Sequence, residues 1–170
     1  SWFGKAWLPE VEIPADHNAY FSLAAFRPNE AAVYRRKKTQ FHALHAIMLD
    51  DVGTKVERER LSLPPSWMLE TSPGNYQAGY ILAEPLQDAA TADGLMNAIV
   101  AALLCDPGAG GPTARLARLP ASVNGKHNPA FPCCLEVWEP GLRYSPDELA
   151  SGLELDMRPA GRSRARTSAS

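Results

Sequence analysis

The chain has 170 residues, 45% of them hydrophobic, and a formal net charge of −2. That is enough to bury one core without disulfide staples, and it fits one globular domain with a short appendage. The balance excludes a globally basic nucleic-acid binder. No apolar run is long enough to span a bilayer as a helix, and the three cysteines (Cys105, Cys133, Cys134) offer neither a disulfide framework nor a CxxC zinc spacing. A reducing, cytoplasmic setting is expected, with no membrane partner.

Residues 1–17 read as irregular and start abruptly, without a signal peptide, as expected of a piece of a longer protein. Tyr20 to Phe26 is aromatic and apolar enough for a strand. Asn29 to Lys38 reads as a short helix with Asn29 as cap and basic residues at its end. Arg35, Arg36, Lys37 and Lys38 are either that solvated helix end or a patch that grips nucleic-acid phosphates. Phe41 to Leu49 reads as a buried strand that delivers Asp50 and Asp51. Lys55 to Leu61 is polar and reads as helical. Pro64-Pro65 forces an extended approach to a strand from Trp67 to Thr71. Ser72-Pro73-Gly74-Asn75 then turns the chain into a second strand, Tyr76 to Ala83.

Asp88 to Leu104 is the strongest helix, with Leu95, Ile99, Ala102 and Leu103 at helical spacing. Asp106 opens a glycine-rich loop, Arg115 to Leu119 follows, and Asn124-Gly125 is a tight-turn pair. Cys133 to Trp138 reads as a last strand with one cysteine buried and one exposed. Trp67, Tyr80 and Trp138 are expected in the core. Ser145-Pro146-Asp147-Glu148 carries the chemistry of a capped helix start. Of the 17 basic residues, four (Arg158, Arg162, Arg164, Arg166) lie in a tail with no acid after Asp156, so 13 remain against 19 acids. From Pro159 the chain reads as disordered. This element order gives an α+β domain with a mostly antiparallel sheet flanked by helices.

Three places carry candidate chemistry. Asp50 and Asp51 close a buried strand, where an ionised carboxylate needs a partner. A divalent cation is one solution and a solvated turn is the other. Asp106 before Pro107 is open in the same two ways. Two or three carboxylates can hold a pair of Mg²⁺ or Mn²⁺ ions about 4 Å apart for phosphoryl transfer. The turn from Thr71 to Gln77 offers small side chains and amides that can approach a phosphate. The segment from Arg115 to His127 brings two arginines, Lys126 and His127 together, and such cations suit phosphate.

Taken in order, Leu49-Asp50-Asp51, Glu70 to Ala78, Asp106-Pro107, Arg118-Leu119-Pro120 and Asn124-Gly125-Lys126 resemble the motifs of the RepB-like primase domain. That module belongs to the archaeo-eukaryotic primase superfamily, which includes primase-polymerases, and occurs in plasmids, phages and mobile elements. The resemblance runs from about Tyr20 to Trp138. It implies an RRM-like catalytic fold over residues 1–140, the start of a C-terminal helical appendage over 141–157, and a tail over 158–170. It implies catalytic, metal-binding acids at Asp50, Asp51 and Asp106, with Mg²⁺ or Mn²⁺ as cofactor. It also implies nucleotide contacts from Ser72, Gly74, Asn75, Gln77, Arg118, Asn124 and Lys126. The implied partners are nucleoside triphosphates, a single-stranded DNA template and a replicative helicase in the same protein or operon; Arg35 to Lys38 are the candidates for template contact on their charge alone.

The chain departs from the superfamily pattern in three places. The first two acids are adjacent, whereas many members separate them by one residue, and adjacent strand residues point to opposite faces. Either the strand has ended by Asp50, which Gly53 and Thr54 just afterwards favour, or a bulge re-aims one acid, or only one of the two binds metal. Gln77 stands where many members have histidine, and Ala121 follows Pro120 where glycine is common. Two other readings stay open. One is a degenerate primase fold that only binds single-stranded DNA or replication partners. The other is a rolling-circle nicking enzyme, for which His42 and His45 are the only close histidine pair.

Overall fold

The computed structural model describes residues 14, 16–106, 111 and 115–158. The N-terminal start, the glycine-rich loop over 107–110 and the tail from Pro159 lie outside the described residues. The framework is an antiparallel sheet built on two long strands, β3 (Phe41–Val52) and β5 (Asn75–Leu86). β2 (Ala24–Phe26) lies outside β3. On the other side of β5 run β4 (Trp67–Ser72) and the edge strand β9 (Cys134–Trp138), giving the order β2-β3-β5-β4-β9. β10 (Arg143–Tyr144) pairs in parallel with β5 at Ile81 and Leu82, beyond the end of β4. The α+β class and antiparallel sheet are as expected.

Tyr20 to Phe26 is two strands rather than one. β1 (Tyr20–Ser22) pairs with β6 (Leu116–Arg118), whereas β2 pairs with β3, and the buried Leu23 marks the switch between sheets. A third small sheet joins β7 (Val123–Asn124) to β8 (Phe131–Pro132). Leu44, Ile47, Met48 and Leu49 from β3, with Leu69, Ala78 and Tyr80 from β4 and β5, are almost wholly buried. Each such large side chain contributes roughly 1.5–3 kcal/mol. Helix α1 (Ala89–Ala101) lays Leu95, Met96 and Ile99 into this core, and Asp88 caps it by accepting from the amides of Ala90 and Thr91. α2 (Pro146–Gly152) has the expected capping box between Ser145 and Glu148. It is the helix expected to begin the appendage, and it packs on this domain, burying Leu149 and Leu153 in the same core.

Four expectations fail for local reasons. Asn29 to Lys38 is not a helix. The Asn29 side chain takes the amides of Ala31 and Val33, Ala32 is left-handed (φ 56), and Gln40 takes the carbonyls of Arg27 and Val33. Only Lys38–Gln40 forms a 3-10 turn. Lys55 to Leu61 is likewise no helix beyond a 3-10 turn at Arg58–Arg60, because its arginines are drawn to other elements. Arg58 pairs with Glu136 of β9, and Arg60 donates to the carbonyls of Ala102 and Leu103 at the end of α1. α1 itself ends early: Leu103 is left-handed (φ 58) and exposed rather than part of the buried face. Trp138 is 58% exposed, not core, because β9 is an edge strand with a neighbour on one side only. Trp67 and Tyr80 are buried, as are Cys133 and not Cys134.

Candidate active site

β3 does not run straight through its two acids. Its pairing with β5 slips between Leu49 and Val52, and Asp51 adopts a left-handed backbone with φ 60. This is a bulge, which re-aims a side chain and stops strict alternation. The Asp51 carbonyl then accepts the amides of Thr54, Lys55 and Val56, and the amide of Gly53 donates to Val56 O. Gly53 has φ +89, and a Cβ there would stand 2.4 Å from the carbonyl oxygen of Gly74, so only glycine lets this turn lie against the β4–β5 hairpin.

The turn brings Lys55 back over Asp51. Its Nζ lies 2.8 Å from Asp51 Oδ2 and 2.7 Å from Asp106 Oδ2. Asp106, 55 residues further on, thus reaches the same point as Asp51, with the two oxygens on either side of one ammonium. Asn75 in the hairpin donates to Asp51 Oδ1 at 3.2 Å, and Thr54 donates to Asn75 Oδ1 at 2.7 Å. Asp50 is likewise half-buried. Its Oδ1 accepts from the Asp51 amide at 3.1 Å and lies 3.5 Å from Gln77 Nε2. Burial, and next the neighbouring Asp51 charge, push the Asp50 carboxyl above its ordinary value. The Asp51 amide and the charge of Arg115 act against that rise. Arg115 is itself buried, with its guanidinium against Cys105 Sγ at 3.2 Å and Met96 Sδ at 3.8 Å.

Gln77 is the link to the cationic segment, since its Oε1 accepts the Arg118 amide at 2.9 Å. The Arg118 side chain is buried and committed to the framework. It donates to Asn18 Oδ1, Val123 O and Asn124 Oδ1, and it stacks over the Tyr20 ring at 4.9 Å. Asn124 is buried too and donates to Thr71 O at 2.7 Å and Ser72 Oγ at 2.9 Å. These two therefore hold the hairpin in place rather than project into solvent. Ser72 is also in hydrogen-bond contact with His127 Nε2 at 2.9 Å. The Gly74 amide donates to Glu70 Oε1 at 2.8 Å, and Lys126 is exposed at the rim.

The basic run Arg35 to Lys38 is exposed on an extended loop. Lys38 Nζ approaches Asp93 Oδ2 of α1 at 3.9 Å. A Cβ on Gly111 would stand 3.1 Å from the other oxygen of Asp93, so Gly111 lies at the same point of α1. His42 accepts from Arg27 Nε, and His45 is exposed, so the pair does not converge. Sequence reading missed Lys55 and Thr54 as members of the acid site. Their one signal is the Gly53-Thr54 pair directly after the acids.

No family model matches the chain, and no curated protein matches it. Solved structures do. The AEP domain of the primase-polymerase of cyanophage S-2L superposes with a TM-score of 0.62 at 17% identity, covering 80% of this chain and 70% of that one. The chain has the archaeo-eukaryotic primase fold. The primase RepB′ agrees, with a TM-score of 0.51 at 17% identity over 68% of this chain and 39% of that one. The catalytic domain of RepB′ in complex with initiator DNA gives 0.50 at 17% identity, over 68% and 58%. No helix among the described residues is long and apolar enough to cross a membrane.

The acids suit a hard divalent ion. Asp51 and Asp106 are oxygen donors that already close on one cation, the Lys55 ammonium. Among the described residues no group of three or more acidic, histidine or cysteine side chains is placed to hold a metal ion, so Asp50, Asp51 and Asp106 do not converge as one three-acid set. Magnesium commonly takes only one or two protein carboxylates, with water and substrate phosphates completing its octahedron.

Proposed function

We propose that the chain is the catalytic domain of a DNA primase or primase-polymerase that joins nucleotides on a single-stranded template. One observation carries this reading: Asp51 and Asp106, far apart in sequence, meet at one cation, beside Asp50, in a primase fold. Asp51 and Asp106 would hold Mg²⁺ or Mn²⁺, with Asp50 alongside. Bound there, divalent ions would activate the attacking 3′-hydroxyl and stabilise the pyrophosphate leaving group.

The chain's own residues have distinct tasks. Asn75 and Thr54 fix the rotation of Asp51, as outer hydrogen bonds commonly fix metal ligands. Gln77 spans from Asp50 to the Arg118 amide and sets the distance between the acids and the cationic segment. Ser72, His127 and Lys126 form the rim that faces an incoming triphosphate. Arg35, Arg36, Lys37 and Lys38 hold the template by phosphate contacts, and Tyr34, 70% exposed beside them, presents a ring to its bases.

The test is incorporation of labelled nucleotides on single-stranded DNA with Mg²⁺ or Mn²⁺. The proposal expects metal-dependent products that vanish in Asp51→Asn and Asp106→Asn. Template binding without incorporation, under any divalent ion, would assign the chain to a binding module instead.

A further inference from the structure

Lys55 belongs to none of the motifs, yet its ammonium occupies the gap between the two acids. Asp51 and Lys55 are four apart, but not on a helix. The left-handed Asp51 and the three amides gathered on its carbonyl bend the chain so that the lysine stem returns over the acid. The Lys55 side chain is 64% exposed, so packing does not fix it. The carboxylates hold it, and it offsets their mutual repulsion. A divalent ion bound to these Oδ2 atoms would sit about 2.1 Å from each. An ammonium at hydrogen-bond distance from the same atoms leaves no room for it, and the two cations repel.

We infer that Lys55 is a tethered competitor for the divalent ion. It closes the Asp51–Asp106 pair in the metal-free protein and must swing out before an ion enters. It thereby raises the concentration of free metal needed to load the site. This inference rests on the proposed reading of Asp51 and Asp106 as metal ligands.

The test is a Mn²⁺ titration of the full chain without nucleotide, followed by electron paramagnetic resonance, on the parent, Lys55→Met, Lys55→Gln and Asp51→Asn. Removing an ion-pair partner of this exposure should tighten Mn²⁺ binding by about fivefold. Both lysine variants should show it, so one poorly folding variant leaves the other to decide. Without metal they should also melt below the parent, and saturating Mn²⁺ should close that gap. If Mn²⁺ binds the parent but binds both lysine variants equally or more weakly, the competitor role is wrong while the metal site stands. If no variant binds Mn²⁺ at millimolar concentration, or if Asp51→Asn binds as the parent does, the metal reading fails and takes this inference with it.

Discussion

Asn75 donates to Asp51 across 3.2 Å, tying the β4–β5 hairpin to the bulge of β3. The Thr54 hydroxyl donates to Asn75 Oδ1, so the amide can present only its nitrogen to the acid. Asn75→Ala should leave Asp51 free to rotate. We expect metal-dependent synthesis to fall by about 10–100-fold, with a stability loss near 1 kcal/mol. Steady-state incorporation and thermal melting on the same preparation separate the two effects.

Burial disfavours the charged form of Asp50. Its carboxyl sits above the ordinary value of 3.8, first through burial and then through Asp51. A group raised in the folded state stabilises the fold while protonated and loses that contribution as pH rises through its folded value. Asp50→Asn should therefore melt higher than the parent at pH 7, by roughly 2–4 °C per kcal/mol recovered, while losing synthesis. The gap should narrow as pH falls and the parent's Asp50 takes up a proton. Melting curves from pH 4 to 8 check this.

How much of this was legible in the sequence depends on the range of the interactions. The hairpin around Pro73-Gly74, the helix capped by Asp88 and the capping box at Ser145 rest on neighbours a few residues apart, so local pattern was enough. The expected helix at Asn29 to Lys38 failed because Gln40 and the Asn29 side chain took groups that a helix would have used. The acids were legible as residue types, but their adjacency with Gly53-Thr54 favoured a strand end at Asp50, whereas the strand bulges at Asp51 and runs on to Val52. The return of Lys55 was not legible, since it needs a left-handed Asp51 and an Asp106 delivered by a distant loop. Nor could spacing reveal that Arg118 and Asn124 face inward, because their partners lie on Asn18, Thr71 and Ser72.

That inward placement makes a contrast between Asn124 and Lys126. Asn124→Ala removes the donor to Thr71 O and the acceptor for Arg118, leaving buried polar groups unsatisfied. It should cost about 1–3 kcal/mol and lower the melting temperature. Lys126→Ala touches an exposed side chain, so it should melt like the parent and raise the apparent KM for nucleotide. Equal melting of the two variants would show that Asn124 does not brace the hairpin.

On the far edge, Arg58 bridges to Glu136 at 2.6 Å and stacks on the Tyr76 ring at 4.6 Å. The Arg58 hydrogen bond holds Glu136 below its ordinary value of 4.5. Such a depressed acid stabilises the fold above its unfolded value and loses that stabilisation as pH falls through its folded value. Both side chains are over a third exposed, so solvent screening limits the pair to about 0.2–1 kcal/mol. Glu136→Gln should melt slightly below the parent at pH 7, with the difference disappearing in acid.

The most direct measurement is a crystal structure of the chain soaked with Mn²⁺ and a non-hydrolysable nucleoside triphosphate, with the metal located by its anomalous signal. The account predicts Mn²⁺ on Asp51 and Asp106, the Lys55 ammonium displaced from between them, and the phosphates turned toward Ser72 and Lys126. Lys55 still bridging the two acids, with metal and triphosphate bound elsewhere or not at all, would contradict it.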